Sequence, residues 1–140
     1  MSKLIPQPMG VPAPTPSIRS QPYWDACREG MLVFQRCQQC SCINIMPSFF
    51  CSQCYASDIA WEISAGRGTL YSWTIVWRPQ HPTFIVPYAP AIVGLEEGPR
   101  VLSAIVDCEP EDLAENMPLE VVYYPISEAI TLPYFRPRRT

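Results

Sequence analysis

Five of the chain's seven cysteines fall in the eighteen residues "CQQCSCINIMPSFFCSQC", from Cys37 to Cys54. Cys37 and Cys40 form one CxxC pair, Cys51 and Cys54 form another, and ten residues separate the pairs. Each CxxC is a tight turn that sets two thiols on one side of the backbone. Two such turns facing each other present four sulfurs in a tetrahedron, the closed arrangement that structural zinc accepts. The expected metal ligands are therefore Cys37, Cys40, Cys51 and Cys54, and the expected cofactor is Zn2+. Iron in a rubredoxin-like site is compatible with the same four sulfurs. A thioredoxin-like couple fits less well, because it needs one CxxC at a helix N-terminus in a βαβ context. Cys42 lies two residues past Cys40 and is an alternative to it, but the paired spacing favours Cys40. Four thiolates leave no open coordination position, so such a metal holds the fold, by about 10–16 kcal/mol in comparable peptides, and does not perform chemistry.

The rest of the chain reads as mostly β. Six prolines lie within residues 1–22, and proline fixes φ and removes a donor. That segment is expected to be an extended arm (residues 1–19), either disordered or laid on a partner. "SQPYWDACREG" (20–30) reads as one short helix, capped by Ser20 or Gln21 and ended by Gly30. Tyr23, Trp24 and Cys27 share its apolar face, which makes Cys27 a core residue rather than a ligand. "MLVFQR" leads as a strand into the cysteine cluster, and residues 31–62 form the ribbon. "GTLYSWTIVW", "YAPAIVGL", "RVLSAIV", "LEVVYY" and "AITLPYF" follow as short strands rich in Val, Ile and aromatic residues, with a helical turn in "EPEDLAEN". The last strand is expected to end at Phe135, leaving Arg136, Arg138 and Arg139 as a basic tail of the 63–140 unit. That tail is either solvated or aimed at carboxylates or phosphates of a complex.

Charge narrows the function classes. Of the 140 residues 16% are charged, with a net charge of −3, against roughly 25% charged in an average soluble domain. The chain has little charge to cover its surface, and a partner is expected to cover part of it. Single-stranded nucleic acid would require a basic groove beside stacking aromatics. Tyr71, Trp73, Trp77 and Phe84 could stack, but ten scattered basic residues are outweighed by thirteen acids. No apolar run approaches a membrane span. "MSKLIPQPMG" lacks the apolar core of a signal peptide, so the cytoplasm is expected.

No catalytic set is legible. His81 is the single histidine, in the proline-flanked loop "RPQHPTF", with no nucleophile or acid in a recognisable order. Gly66 and Gly68 in "AGRGT" read as a bend between the ribbon and the first long strand rather than as a phosphate loop.

Together "PYWDACREGMLVFQRCQQC", "CSQC", "SAGRGTLYSWTIV", "VPYAPAIVGLEEGPRVLSAIV" and "EDLAENMPLEVVYY" resemble the zinc-ribbon OB-fold proteins associated with acyl-CoA enzymes, over roughly residues 20–136. The resemblance implies an N-terminal helix, a rubredoxin-like ribbon and a five-stranded OB barrel. It also implies a non-catalytic subunit in a hetero-oligomer with a thiolase-like enzyme (a thiolase, acyltransferase or retro-aldolase) or, alternatively, with a MaoC-type enoyl-CoA hydratase. In such complexes the partner carries the catalytic residues and acyl-CoA reaches this chain through the complex. Ser41 and Asn116 stand where the family often has glycine, and Asn tolerates the left-handed region. "MPSFF" stands where the family often has a proline pair and a basic residue.

Overall fold

A computed structural model describes residues 3–44 and 46–139. The helix α1 runs over Gln21–Arg28 with Pro22 in its first turn. Its end is a Schellman motif: Gly30, at φ 76°, donates its N–H to the Cys27 carbonyl, and Met31 donates to that of Ala26. Ser20 occupies the N-cap position but makes no side-chain bond to the helix; its hydroxyl instead accepts from the Ser17 N–H at 2.9 Å.

Three short strands make the ribbon: β1 (Val33–Cys37), β2 (Ile43–Asn44) and β3 (Ile59–Ile63), ordered β2-β1-β3 and antiparallel throughout. Five more close into a barrel: β4 (Arg67–Trp73), β5 (Ala89–Leu95), β6 (Arg100–Ile105), β7 (Pro118–Pro125) and β8 (Thr131–Pro137), in the order β4-β5-β6-β8-β7. This is the expected mostly β architecture with a five-stranded OB barrel. Strict alternation along β5 puts Ala89, Ala91, Val93 and Leu95 inside, where they meet Leu70, Ile105, Leu119 and Phe135. The helical turn expected after β6 is a single 3-10 turn at Pro110–Asp112.

Two glycines join ribbon to barrel. Gly66 takes φ 76° and lies against Val121, and a Cβ on Gly68 would collide with the Gly94 carbonyl of the neighbouring strand. The bend expected at "AGRGT" therefore rests on close backbone approach as well as on freedom of φ. Glu97 fixes the same junction from the β5–β6 turn. Its carboxylate accepts from the Ser64 hydroxyl at 2.8 Å and the Ala65 N–H at 2.7 Å.

Three expectations change. The proline-rich arm is not loose over residues 4–11; it packs on its own barrel. Leu4 is fully buried and exchanges backbone hydrogen bonds with Cys108 and Asp107. Gln7 clasps the backbone of Ile85 through both its amide atoms, and Val11 joins Ile126 and Ile130 in a second small core. A proline-stiffened segment has less entropy to lose, so two apolar anchors are enough to hold it. The last strand does not stop at Phe135: β8 extends to Pro137, and Arg136 bonds Glu120 at 2.9 Å and faces Asp107 at 4.0 Å. Arg136 therefore neutralises this chain's own carboxylates. Finally, "GTLYSWTIVW" is not one strand. A bulge at Tyr71 breaks the register, β4 ends at Trp73, and beyond it only Val76 bridges, to Tyr88.

The barrel seam between β6 and β8 is narrow. The two strands are parallel but in register at Ile105–Phe135 alone. Pro133 has no N–H to extend the ladder, and its carbonyl is taken by the Ser103 hydroxyl at 3.0 Å. An apolar cleft of about 340 Å³ opens beside the seam, walled by Tyr23, Trp24, Phe84, Leu102, Leu132 and Tyr134. Among the described residues no helix is long and apolar enough to cross a membrane.

Candidate metal centre

Cys37 ends β1, and its neighbours turn back at once. Ser41 donates its N–H to the Cys37 carbonyl at 2.9 Å, and the Cys37 N–H reaches Cys42 at 2.8 Å. The second CxxC repeats the pattern. Tyr55 donates to the Cys51 carbonyl at 3.0 Å, and the Cys51 N–H reaches Ala56 at 2.8 Å. The two turns are thus two copies of one knuckle. In each, the residue just past the second cysteine lies in the left-handed region, Ser41 at φ 66° and Tyr55 at φ 63°. Glycine would adopt that conformation without strain, so Ser41 and Tyr55 each hold a backbone that L residues rarely take. Asn116 also takes the left-handed conformation, at φ 67°, and the turn before β7 is kept.

The sulfurs of Cys37, Cys40, Cys51 and Cys54 all lie within 4.8 Å of one another. Cys37 and Cys54 approach to 3.6 Å, and Cys40 and Cys51 to 3.5 Å. Those separations are far longer than a disulfide bond and close to the spacing of about 3.8 Å that four sulfurs adopt around a tetrahedral ion at about 2.3 Å. Cys37 and Cys51 are buried, while Cys40 and Cys54 face outward. Backbone N–H groups point at the buried pair: Gln39 to Cys37 at 3.4 Å, Gln53 to Cys51 at 3.3 Å and Cys54 to Cys51 at 3.4 Å. The Cys54 and Gln53 donors pull the Cys51 thiol down to about 6. At Cys40 the Cys42 N–H favours the thiolate, but the crowding sulfurs of Cys51, Cys54 and Cys37 win and push it up to about 12. Four sulfurs this close cannot all ionise without a cation between them. The donor set fits a metal of tetrahedral, thiolate-loving character.

The remaining three cysteines stand apart. The Cys42 thiol faces the Ile43 carbonyl at 3.7 Å and is outside the four-sulfur group. Cys27 and Cys108 are core residues, and burial pushes each up to about 11.

Two residues not singled out in the sequence hold the site from behind. Gln35 and Asn44 face each other across the β1–β2 pair, both buried. Asn44 Nδ2 donates to Gln35 Oε1 at 3.1 Å and to the Phe50 carbonyl at 3.0 Å, while its Oδ1 accepts from the Ser52 N–H at 3.0 Å. Gln35 Oε1 also accepts from the Ser48 N–H at 2.9 Å, and its Nε2 donates to the Ser48 carbonyl at 3.0 Å. A polar residue in a strand bordering the cluster was the only available signal.

The other residues weighed in the sequence are dispersed. His81 bonds the hydroxyl of Thr83 in its own exposed turn. Phe84 packs beside Val11, Ile126 and Ile130, whereas Tyr71 is exposed and carries the Arg100 guanidinium 4.0 Å above its ring.

A sulfur-bound ribbon feeding an OB barrel defines a class of ribbon-barrel protein. The model for the C-terminal OB-fold domain of ChsH2 matches residues 61–123. A DUF35 domain-containing scaffold protein of Methanocaldococcus jannaschii is 34% identical over 69% of this chain and 70% of its own length. The chain belongs to the DUF35 family. It is also similar to a probable enoyl-CoA hydratase alpha subunit of Thermomonospora curvata, 34% identical over 89% of this chain. This chain spans only 40% of that relative's length. Among solved structures, a chain of the Ltp2-ChsH2(DUF35) aldolase superposes with a TM-score of 0.82 at 31% identity, covering 89% of this chain and 98% of that one.

Proposed function

We propose that this chain is a non-catalytic accessory subunit of an acyl-CoA-processing enzyme, with structural zinc on Cys37, Cys40, Cys51 and Cys54. In this reading residues 1–19 are an arm, 20–30 a helix, 31–62 the zinc ribbon and 63–140 the OB unit. The partner is a thiolase-family enzyme of the cytoplasm, which supplies the catalytic residues while this chain helps to build the acyl-CoA site. The observation that carries the reading is the near full-length likeness to the DUF35 chain of an aldolase. The exposed apolar side chains Met46, Phe49, Phe50 and Tyr55 around the ribbon support it, since such groups favour a covered surface. A second reading, a MaoC-type hydratase as partner, is favoured by the likeness to a hydratase alpha subunit over 89% of the chain.

The test is co-purification of the tagged chain from its native cells, with the bound subunit identified by mass spectrometry. A stoichiometric thiolase-family enzyme is the expected result, and a MaoC-type hydratase would select the second reading. A chain that elutes as a monomer with no enzyme bound would refute both. Metal analysis of the same preparation is expected to give one zinc per chain, and Cys37→Ser should abolish it.

A further inference from the structure

Neither carboxamide of the Gln35–Asn44 pair hydrogen-bonds to one of the four sulfurs, yet the pair joins three segments that must be arranged together. The Asn44 side chain holds the Ser52 N–H, inside the second CxxC, and the Phe50 carbonyl just before it. Both flanks of Cys51 are thereby fixed to β2, and β2 is fixed by register to β1, which ends in Cys37. Gln35 holds both backbone groups of Ser48 and so carries the 46–50 segment. The five hydrogen bonds use the amide oxygen and the amide nitrogen of both Asn44 and Gln35. Buried and satisfied networks of this kind define one geometry, because any slip leaves polar atoms unpaired.

We propose that Asn44 is the positioning residue of the metal centre. It docks the Cys51–Cys54 knuckle at metal-binding distance from the Cys37–Cys40 knuckle, and Gln35 extends that order to the segment bearing Phe49 and Phe50. The inference rests on the metal reading above. It adds that retention of the metal is set by a carboxamide that is not a ligand. Removing an outer partner of a metal site costs about 10–100-fold in affinity; a backbone-mediated partner belongs at the lower end of that range.

The experiment compares the full-length chain with Asn44→Ala and Gln35→Met, each loaded with zinc. Metal release to a chromogenic chelator is timed, and amide hydrogen exchange is read at Ser48 and Ser52. Asn44→Ala is expected to release metal about tenfold faster and to lose protection at Ser52. Gln35→Met keeps the Asn44–Ser52 bond, so it should lose protection at Ser48 with a smaller change in release. Barrel amides such as those of Val93 and Leu95 should stay protected in both. Unchanged release and unchanged Ser52 exchange in Asn44→Ala would overturn the proposal. A wild-type chain that binds no metal would overturn the metal reading instead, and Ser48 and Ser52 protection in that protein would still report whether the amide network forms.

Discussion

Ser41 and Tyr55 hold a backbone conformation that costs an L residue about 1–2 kcal/mol. Each lies one residue past the second cysteine of a CxxC pair, where the knuckle turns back into the ribbon. Ser41→Gly removes that strain at the expense of some unfolded-state entropy. A net gain of about 0.5–1 kcal/mol is expected in denaturant melts of the metal-loaded chain, whereas Ser41→Val should lose stability. Glu97 allows a test by pH. The cost of its burial is outweighed by the Ala65 N–H and Ser64 hydroxyl, which hold its carboxyl below the usual range. A lowered folded value means that the carboxylate stabilises above the unfolded value of about 4.3. That contribution is lost as pH falls through the folded value. Glu97→Gln should therefore be less stable than the natural chain at pH 7, and the difference should shrink toward zero below pH 4. Thiolate protonation affects both proteins alike and cancels in the comparison. A stability difference that is constant with pH would show that the Glu97 charge plays no part.

At the scale of elements, the arm and the last strand carry more of the barrel than composition suggests. Leu4 is fully buried in the main core, so Leu4→Ala should cost about 2–5 kcal/mol, read as a lowered denaturation midpoint. A chain ending at Phe135 loses the Glu120–Arg136 and Leu119–Pro137 pairings together with the Arg136 ion pairs. It should be measurably less stable than one ending at Arg138, rather than equally stable as a solvated tail would require. What was legible in the sequence follows from range. The four cysteines announce themselves because CxxC is a local pattern that fixes local geometry. Strands β5 and β7 are bounded by turns and carry Ile92–Val93 and Val121–Tyr124 at their centres, and their limits follow. The two-residue β2 is too short to show a period. The bulge at Tyr71 is set by a neighbouring strand, and nothing in "TLYSW" marks it. Leu4 and Val11 were hidden by the prolines around them, because proline content reports stiffness and says nothing of where the segment packs. The Gln35–Asn44 pair was invisible for a related reason: two carboxamides nine residues apart become partners only once β1 and β2 are in register.

The whole molecule is a ribbon carrying a four-sulfur cluster and a barrel, joined through Gly66, Gly68 and Glu97, with the arm wound back over the barrel wall. Such a body offers a partner a preformed surface and loses little entropy on binding. In the proposed function, chemistry belongs to the partner and this chain makes the partner competent. Acyl-CoA turnover by this chain alone, by the co-purified enzyme alone and by the recombined pair is the most direct measurement. The chain alone should give no turnover, the enzyme alone a reduced kcat/KM, and the recombined pair full activity. Turnover by the isolated chain, or an enzyme equally active without it, would contradict the account.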